Sequence, residues 1–391
     1  MVKAGYKQTE IGVIPEDWKI STIKEHCNIQ TGNKNTQDRL DDGIYPFFVR
    51  SQTIEKINSY AFDGEAVLTA GDGVGTGKVH HYINGKFDFH QRVYCMNNFS
   101  DSLDGYFFYL YFKHNFYGRI SQMTAKSSVD SVRKEMISNM TLPIPPKEEQ
   151  KAIANALSDV DALITSLEKL IAKKESIKTA TMQQLLTGKK RLNGFSGEWE
   201  EKKLGEISEM SSGGTPSTKI AEYYNGQISW LSISDITKAG KYVNLTEKSI
   251  TEKGLQNSSA KLFNKGILFL AMYASIGKCC IAKIHMATSQ AILGIDTGNK
   301  LDTEFLYYYF LSIQNKLANS GQQGTQSNLN KGIVEDILIK LPTLEEQQAI
   351  AQILSDMDNE IEALKNKLSK TKAIKDGMMS ELLSGKTRLK V

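Results

Sequence analysis

Four cysteines, six histidines and seven prolines are spread over 391 residues. Cys27, Cys95, Cys279 and Cys280 form no Cys-x-x-Cys pair and have no histidine at ligand spacing. Neither a disulfide framework nor a zinc site is implied, so a reducing, cytoplasmic setting is expected. His26, His80, His81, His90, His114 and His285 show no His-x-x-x-His or His-Glu-x-x-His spacing, which speaks against a metal site. Long apolar runs are missing too. The longest, Ile267 to Ala274, falls far short of the roughly 20 residues that span a bilayer. The opening MVKAGYKQTEIG has no apolar signal-peptide core, and no membrane association is expected. Neither charge sign dominates: 48 Lys and Arg against 44 Asp and Glu leave a formal charge of +4. Such a balance permits a nucleic-acid partner without demonstrating one.

Catalytic signatures are absent as well. Gly71-Asp72-Gly73-Val74-Gly75-Thr76-Gly77-Lys78-Val79 looks like a phosphate loop, but five residues separate Gly71 from Gly77 and Val79 follows the lysine. A Walker A loop needs four residues between its glycines and Ser or Thr after Lys. The dinucleotide pattern fails because Thr76 and Lys78 stand at the third-glycine positions. What remains is a tight turn rich in positive-φ positions, or a loop that approaches a DNA backbone with Lys78 on a phosphate. Asp17-Trp18-Lys19 resembles the tail of a nuclease motif but has no upstream Pro-Asp half. Base-modifying amino-methyltransferases hold the flipped base with an Asn/Asp-Pro-Pro-aromatic loop. The only Pro-Pro here sits in Ile144-Pro145-Pro146-Lys147. The chain therefore reads as non-catalytic, with no cofactor of its own.

What the chain does have is a repeat. Glu148 to Leu192 recurs as Glu345 to Leu389, 197 positions on, without a gap over 45 positions, 22 of them identical. Apolar residues step by four and three in both copies: Ile153, Leu157, Val160, Ile164, Leu167 and Ile171, then Ile350, Leu354, Met357, Ile361, Leu364 and Leu368. That is an a/d seam of about three heptads. Pro145-Pro146 precedes one copy, and Thr343-Leu344-Glu345-Glu346 has capping-box spacing before the other. Gly188 and Gly385 stand where a helix C-cap wants glycine. Each helix could run roughly 60 Å. The expected fold is α+β: two globular α/β domains alternating with two long helices that pair as an antiparallel coiled coil about a pseudo-twofold axis. The expected boundaries are 1–145, 146–192, 193–342 and 343–391.

The two globular segments repeat only loosely. Trp18 and Gly32 answer to Trp199 and Gly213, and Gly77-Lys78 answers to Gly277-Lys278. Strands are expected at Tyr45 to Val49, Ala66 to Thr69, Arg92 to Met96 and Met140 to Ile144, with aromatic helices beginning at Tyr106 and Phe305. Helices that stay alike beside segments that diverge suggest one scaffold carrying two different reading heads. Candidate DNA-contacting residues in the first head are Lys34, Asn35, Gln37, Arg39, Arg50, Gln52, Lys78, His90, Arg92, Lys126, Ser127 and Arg133. In the second they are Thr215, Ser217, Lys219, Lys278, Gln290, Gln323, Thr325, Gln326 and Asn328. Asn, Gln and Arg suit base edges, whereas Lys and Ser suit phosphates; any one of them could equally be an ordinary solvated loop residue.

The duplicated order resembles the specificity subunit of type I restriction–modification systems. The resemblance rests on Ile11-Gly12-x-Ile14-Pro15-x-x-Trp18, on Pro145 to Gln150 and Pro342 to Gln347, and on the two Leu-Leu-Thr/Ser-Gly-Lys-x-Arg-Leu endings. It implies target recognition domains that each contact one half of a bipartite, asymmetric site in double-stranded DNA. It also implies helices that act as a ruler and dock two methyltransferase (M) subunits, with restriction (R) subunits joining outside them. Methyl donor and ATP would belong to those partners. A protein-binding coiled-coil scaffold without DNA affinity, and a fused restriction–modification enzyme, are the alternatives.

Overall fold

The computed structural model describes residues 2–123, 131–320 and 329–389. The chain divides into two compact units, one formed by Met1–Glu168 with Asn366–Val391 and the other by Lys169–Lys365. Each unit thus holds one globular domain, the start of the helix that follows it, and the end of the other long helix. Among the described residues no helix is long and apolar enough to cross a membrane.

In the first unit a six-stranded sheet runs Asn28–Thr31, Val93–Asn97, Phe62–Ala70, His80–Phe89, Tyr45–Phe48, Ile54–Ile57. All its pairings are antiparallel except that of Tyr45–Phe48 with His80–Phe89. The Gly105–Met123 helix carries Phe108, Phe112 and Phe116 four residues apart, so the rings line one face and are buried. Thr141–Ile144 pairs with Lys19–Thr22 and brings the end of the domain back beside its beginning. Lys147–Leu185 then forms the first long helix, 39 residues or about 58 Å.

That helix begins inside the domain's core. Ile153, Ala154 and Leu157 join Trp18, Met96 and Phe107 in one buried cluster, together with Met379, Leu382 and Leu383 from the end of the second long helix. Glu149 and Gln150, both in the first turn, are almost completely buried. Such groups need partners. Gln150 donates to the carbonyls of Ser102 and Pro145 and accepts the Asp104 amide, all at 2.8 Å. Glu149 accepts from Trp18 Nε1 at 3.0 Å and from Arg388 Nε and Nη2 at 2.6 and 2.7 Å. Arg388 also donates to both Asp17 oxygens, at 2.9 and 2.8 Å. Those hydrogen bonds hold the Asp17 carboxyl below the usual carboxylate range. Gly385, at φ +71°, ends the second helix so close that a Cβ would lie 2.5 Å from Pro15 Cδ. Further along, Asp161 and Lys375 lie 2.5 Å apart and Glu168 and Lys372 2.7 Å apart. Rising numbers on one helix meet falling numbers on the other, which makes the pairing antiparallel.

The second unit repeats these contacts with the helices exchanged. Glu346 accepts from Arg191 Nε and Nη2 at 2.7 and 2.6 Å, and Gln347 binds the Lys300 and Pro342 carbonyls and the Asp302 amide. Gly188, at φ +69°, lies under the Trp199 ring. Lys178 pairs with Asp358, Lys174 with Glu360 and Lys365 with Glu175. The second long helix spans Leu344–Leu382. Ile350, Ala351 and Leu354 share their cluster with Met182, Leu185 and Leu186 and with Phe305 and Tyr308 of the Thr303–Ser320 helix. The sheets are arranged differently from the first unit's. A five-stranded sheet runs Glu209–Ser212, Ile292–Asp296, Leu268–Ala271, Cys279–Ala282, Tyr242–Val243. A four-stranded one runs Lys248–Ile250, Tyr224–Leu231, Met286–Thr288, Leu262–Phe263.

Two expectations need amendment. The Thr343 capping box is half made: the Glu346 amide lies 3.4 Å from Thr343 Oγ1, but the Glu346 carboxylate is taken by Arg191 and does not reach back. The seam is also not a helix-only contact. Ile153, Leu157, Ile350 and Leu354 are buried in the domain cores, while Val160, Ile164, Met357 and Leu364 are half-buried. Leu167 and Ile361 are buried. Truncating Leu157 should therefore damage the first domain itself.

Arg388→Ala leaves Glu149 buried with the Trp18 indole as its one remaining side-chain donor among the described residues, and should destabilise the first unit by about 3 kcal/mol. Leu157→Ala should cost a similar amount, about 3 kcal/mol. Hydrogen exchange across residues 2–123 reads both; protection within about 0.5 kcal/mol of wild type would show that the Glu149–Arg388 contact and the Leu157 packing do not hold this unit together.

Candidate nucleic-acid interface

In the first domain the chain leaves the Asn28–Thr31 strand at Gly32, where a Cβ would sit 1.8 Å from the Phe89 carbonyl oxygen. Only glycine lets the loop lie that close. Lys34 and Asn35 then come against the turn that follows the His80–Phe89 strand. The Gln91 amide donates to the Lys34 carbonyl at 2.8 Å, and Gln91 Nε2 donates to Asn35 Oδ1 at 2.5 Å. His90 is buried and its Nδ1 accepts the Arg92 amide at 2.9 Å, so it shapes the turn from beneath. Burial pushes its pKa down. Arg50 and Arg92 emerge from neighbouring chain segments, with Asp72 within 2.9 and 3.8 Å of them.

The second domain builds the same turn from different residues. A Cβ on Gly213 would meet Thr288 Oγ1 at 2.0 Å, and the Gly214 amide donates to the Thr288 carbonyl at 2.8 Å. Thr215 Oγ1 donates to Gln290 Oε1, as Gln91 and Asn35 meet in the first domain. Trp230 Nε1 donates to the Gly214 carbonyl at 3.0 Å and fixes the loop from below. Where Arg92 follows Gln91, Ala291 follows Gln290.

Of the expected residues, the structure brings together Lys34, Asn35, Arg50, His90 and Arg92 in one domain, and Thr215 with Gln290 in the other. Arg39 is exposed and bonded to Glu55 at 3.3 Å. Gln37, Gln52 and Arg133 are exposed, as are Ser217 and Lys219. Lys78 lies over the Tyr117 ring, 4.9 Å from its centroid, and Lys278 is half-buried. Lys126 and Ser127, and Gln323, Thr325, Gln326 and Asn328, lie outside the described residues. Asp72 was not among the expected contacts. A carboxylate seldom signals DNA contact, and only the fold shows what it touches. Among the described residues no group of three His, Cys, Asp or Glu side chains could hold a metal ion.

At the start of the His80–Phe89 strand His80 is buried, with Nε2 3.1 Å from the Gly77 carbonyl oxygen and no partner for Nδ1 among the described residues. Burial pushes it down to about 4. Its folded pKa lies below the unfolded value of about 6.5, so neutral His80 stabilises the fold fully above that pH. This stability is lost as pH falls from about 6.5 through about 4 and is worth at most about 3 kcal/mol. Exchange protection in the Phe62–Ala70 and His80–Phe89 strands should fall through that window, and His80→Gln should flatten the fall. An unchanged slope in the variant would show that His80 does not titrate there.

The fold is one found among solved structures of restriction-system subunits. The S subunit of a type I restriction–modification system from M. genitalium superposes with a TM-score of 0.63 over 93% of this chain and 96% of its own, at 17% identity. The HsdS subunit from Thermoanaerobacter tengcongensis gives 0.52 over 99% and 100%, also at 17%. Sequence comparison goes further. Residues 15–179 and 196–372 match the family model for the type I restriction modification DNA specificity domain, and the chain belongs to that family. It is 27% identical to the type I restriction enzyme MjaVIII specificity subunit of Methanocaldococcus jannaschii, over 96% of this chain and 94% of the relative. It is 23% identical to the EcoDI specificity subunit of Escherichia coli, over 96% and 89%. The chain is a DNA sequence-specificity subunit of a type I restriction–modification system, and the protein-only scaffold is not favoured.

Proposed function

We propose that residues 1–145 and 193–342 each read one half of a bipartite, asymmetric site in double-stranded DNA. The two long helices set the distance between the halves and dock two methyltransferase subunits, with restriction subunits joining that complex. Methylation and cleavage are then carried out by those partners, which bring the methyl donor and ATP. In a cell this complex works in the cytoplasm. The observation that carries this reading is a contrast within the chain. Glu149–Arg388 and Asp161–Lys375 recur as Glu346–Arg191 and Asp358–Lys178. The turns that would face DNA differ, Asn35, Gln91 and Arg92 in one domain against Thr215, Gln290 and Ala291 in the other. A scaffold kept constant under two unlike surfaces is what a reader of two unlike half-sites requires. Stiff helices matter because a loose connection would let the gap vary and would blur the specificity.

Replacing residues 193–341 by the corresponding segment of another specificity subunit should change one half-site only, read as the methylated motif in cells that also carry the methyltransferase subunits. Inserting four residues after Thr179 should alter the gap and leave both half-sites intact. A gap unchanged by the insertion would contradict the ruler.

A further inference from the structure

The Gly71–Lys78 loop has an arrangement that neither a phosphate cradle nor a plain turn accounts for. It runs between the chain segments that carry Arg50 and Arg92. A Cβ on Gly71 would lie 2.9 Å from the Arg92 carbonyl oxygen, and one on Gly75 would lie 2.7 Å from that of Arg50. The Gly71 amide donates to the same Arg92 carbonyl at 2.8 Å. The two glycines thus allow the loop to approach both backbones at once. Asp72, between them, is thereby set between the two guanidinium groups: Oδ1 is 2.9 Å from Arg50 Nη1 and Oδ2 is 3.8 Å from Arg92 Nε. The carboxylate is the least exposed of the three, 26% against 45% and 65% for the arginines. At the loop's tip Val74 is fully exposed.

We propose that Asp72 is a positioning residue which aims Arg50 and Arg92 at guanine, so that the half-site read by the first domain contains guanine where these two side chains meet the major groove. The inference rests on the DNA-reading function proposed above and deepens it. Two arginines could also serve as phosphate contacts, but a phosphate grip gains from uncompensated charge, and Asp72 cancels one of the two. Base reading gains from what Asp72 supplies, a fixed orientation of a planar donor pair that can meet the O6 and N7 acceptors of guanine together. Val74 agrees with a base-facing tip, since an apolar side chain can touch a thymine methyl and offers nothing to a phosphate. The second domain, with Ala291 after Gln290, has no such pair at its turn.

The test uses the full chain expressed with its methyltransferase subunits, with methylated positions mapped across the host genome by single-molecule sequencing. The domain exchange described above assigns each half-site to its reader. The first domain's half-site should contain guanine. Arg50→Ala and Arg92→Ala should each relax discrimination at a guanine position there by about 5-fold to 150-fold and leave the other half-site intact. Asp72→Asn, nearly isosteric, should relax the same positions more weakly while the salt dependence of binding to a duplex carrying the wild-type motif stays as in wild type. Uniform weakening over all sequences, with the log–log salt slope reduced by about 1 per arginine, would make both phosphate contacts and overturn the proposal. So would an unchanged motif in all three variants, with the wild-type melting temperature showing that each is folded. If the wild type selects a motif and only this pattern fails, the assignment of Asp72 alone falls. If the wild-type complex selects no motif, the DNA-reading function falls with it.

Discussion

A carboxylate buried at the first turn of each long helix, met by an arginine just past the end of the other, is the constraint on which the rest depends. Glu149 is buried and so is Glu346, and an ionised carboxylate in that position is tolerable only when neutralised and fully hydrogen-bonded. Arg388 and Arg191 do this through paired Nε and Nη2 donors, the geometry in which a guanidinium binds a carboxylate best. The helix N-terminus adds its own preference for negative charge. The consequence is topological. Each domain's core is completed by the end of the other long helix, so the N-terminal domain is closed by Met379, Leu382 and Leu383 near the far end of the sequence and the second domain by Met182, Leu185 and Leu186. Burial alone would accept many slipped registers of two similar helices. A buried carboxylate with one correctly placed guanidinium accepts far fewer, which is the role that buried polar groups fill in specifying register.

The same economy shows in what differs between the units. Trp18 donates to Glu149, whereas Trp199 Nε1 is buried with no hydrogen-bond partner among the described residues, although Glu346 stands at the corresponding place and Arg191 lies over the Trp199 ring. The first domain uses one six-stranded sheet, the second a five-stranded and a four-stranded sheet. Yet the turn that carries Gln91 or Gln290 is reached in both by a glycine pressed against the preceding strand. The supports of the turn are retained while the residues it carries change, from two arginines about a carboxylate to Thr215 and Gln290. The proposed reading of two unlike half-sites from one duplicated plan needs this division.

Much of this was legible in the sequence because it has a period. The long helices follow from the heptad steps, and their ends from Gly188 and Gly385, both found at positive φ. The aromatic helices follow from Phe108, Phe112 and Phe116 at helical spacing. The Glu-Gln pair opening each helix and the arginine closing it were visible as repeated motifs. Nothing local says that the ends separated in sequence by most of the chain meet each other. That contact is set by tertiary packing, and so is the burial of Ile153 and Leu157 in a domain core where spacing alone suggests a helix pair. The glycine loop was ambiguous for the same reason. Gly71 and Gly75 are explained by the Arg92 and Arg50 carbonyls they approach, which lie elsewhere in the sequence. Residues suited to DNA by type could be named from composition, but Asp72 could not, since its sign is wrong for DNA and its role comes from its neighbours.

Two unlike readers on a shared scaffold leave their mark on the motif methylated by the wild-type complex, which tests the proposal most directly. Genome-wide mapping in cells carrying the chain with its methyltransferase subunits should return two different short sequences separated by a gap of constant length. A single continuous motif, two identical halves in inverted order, or a gap that varies from site to site would contradict it.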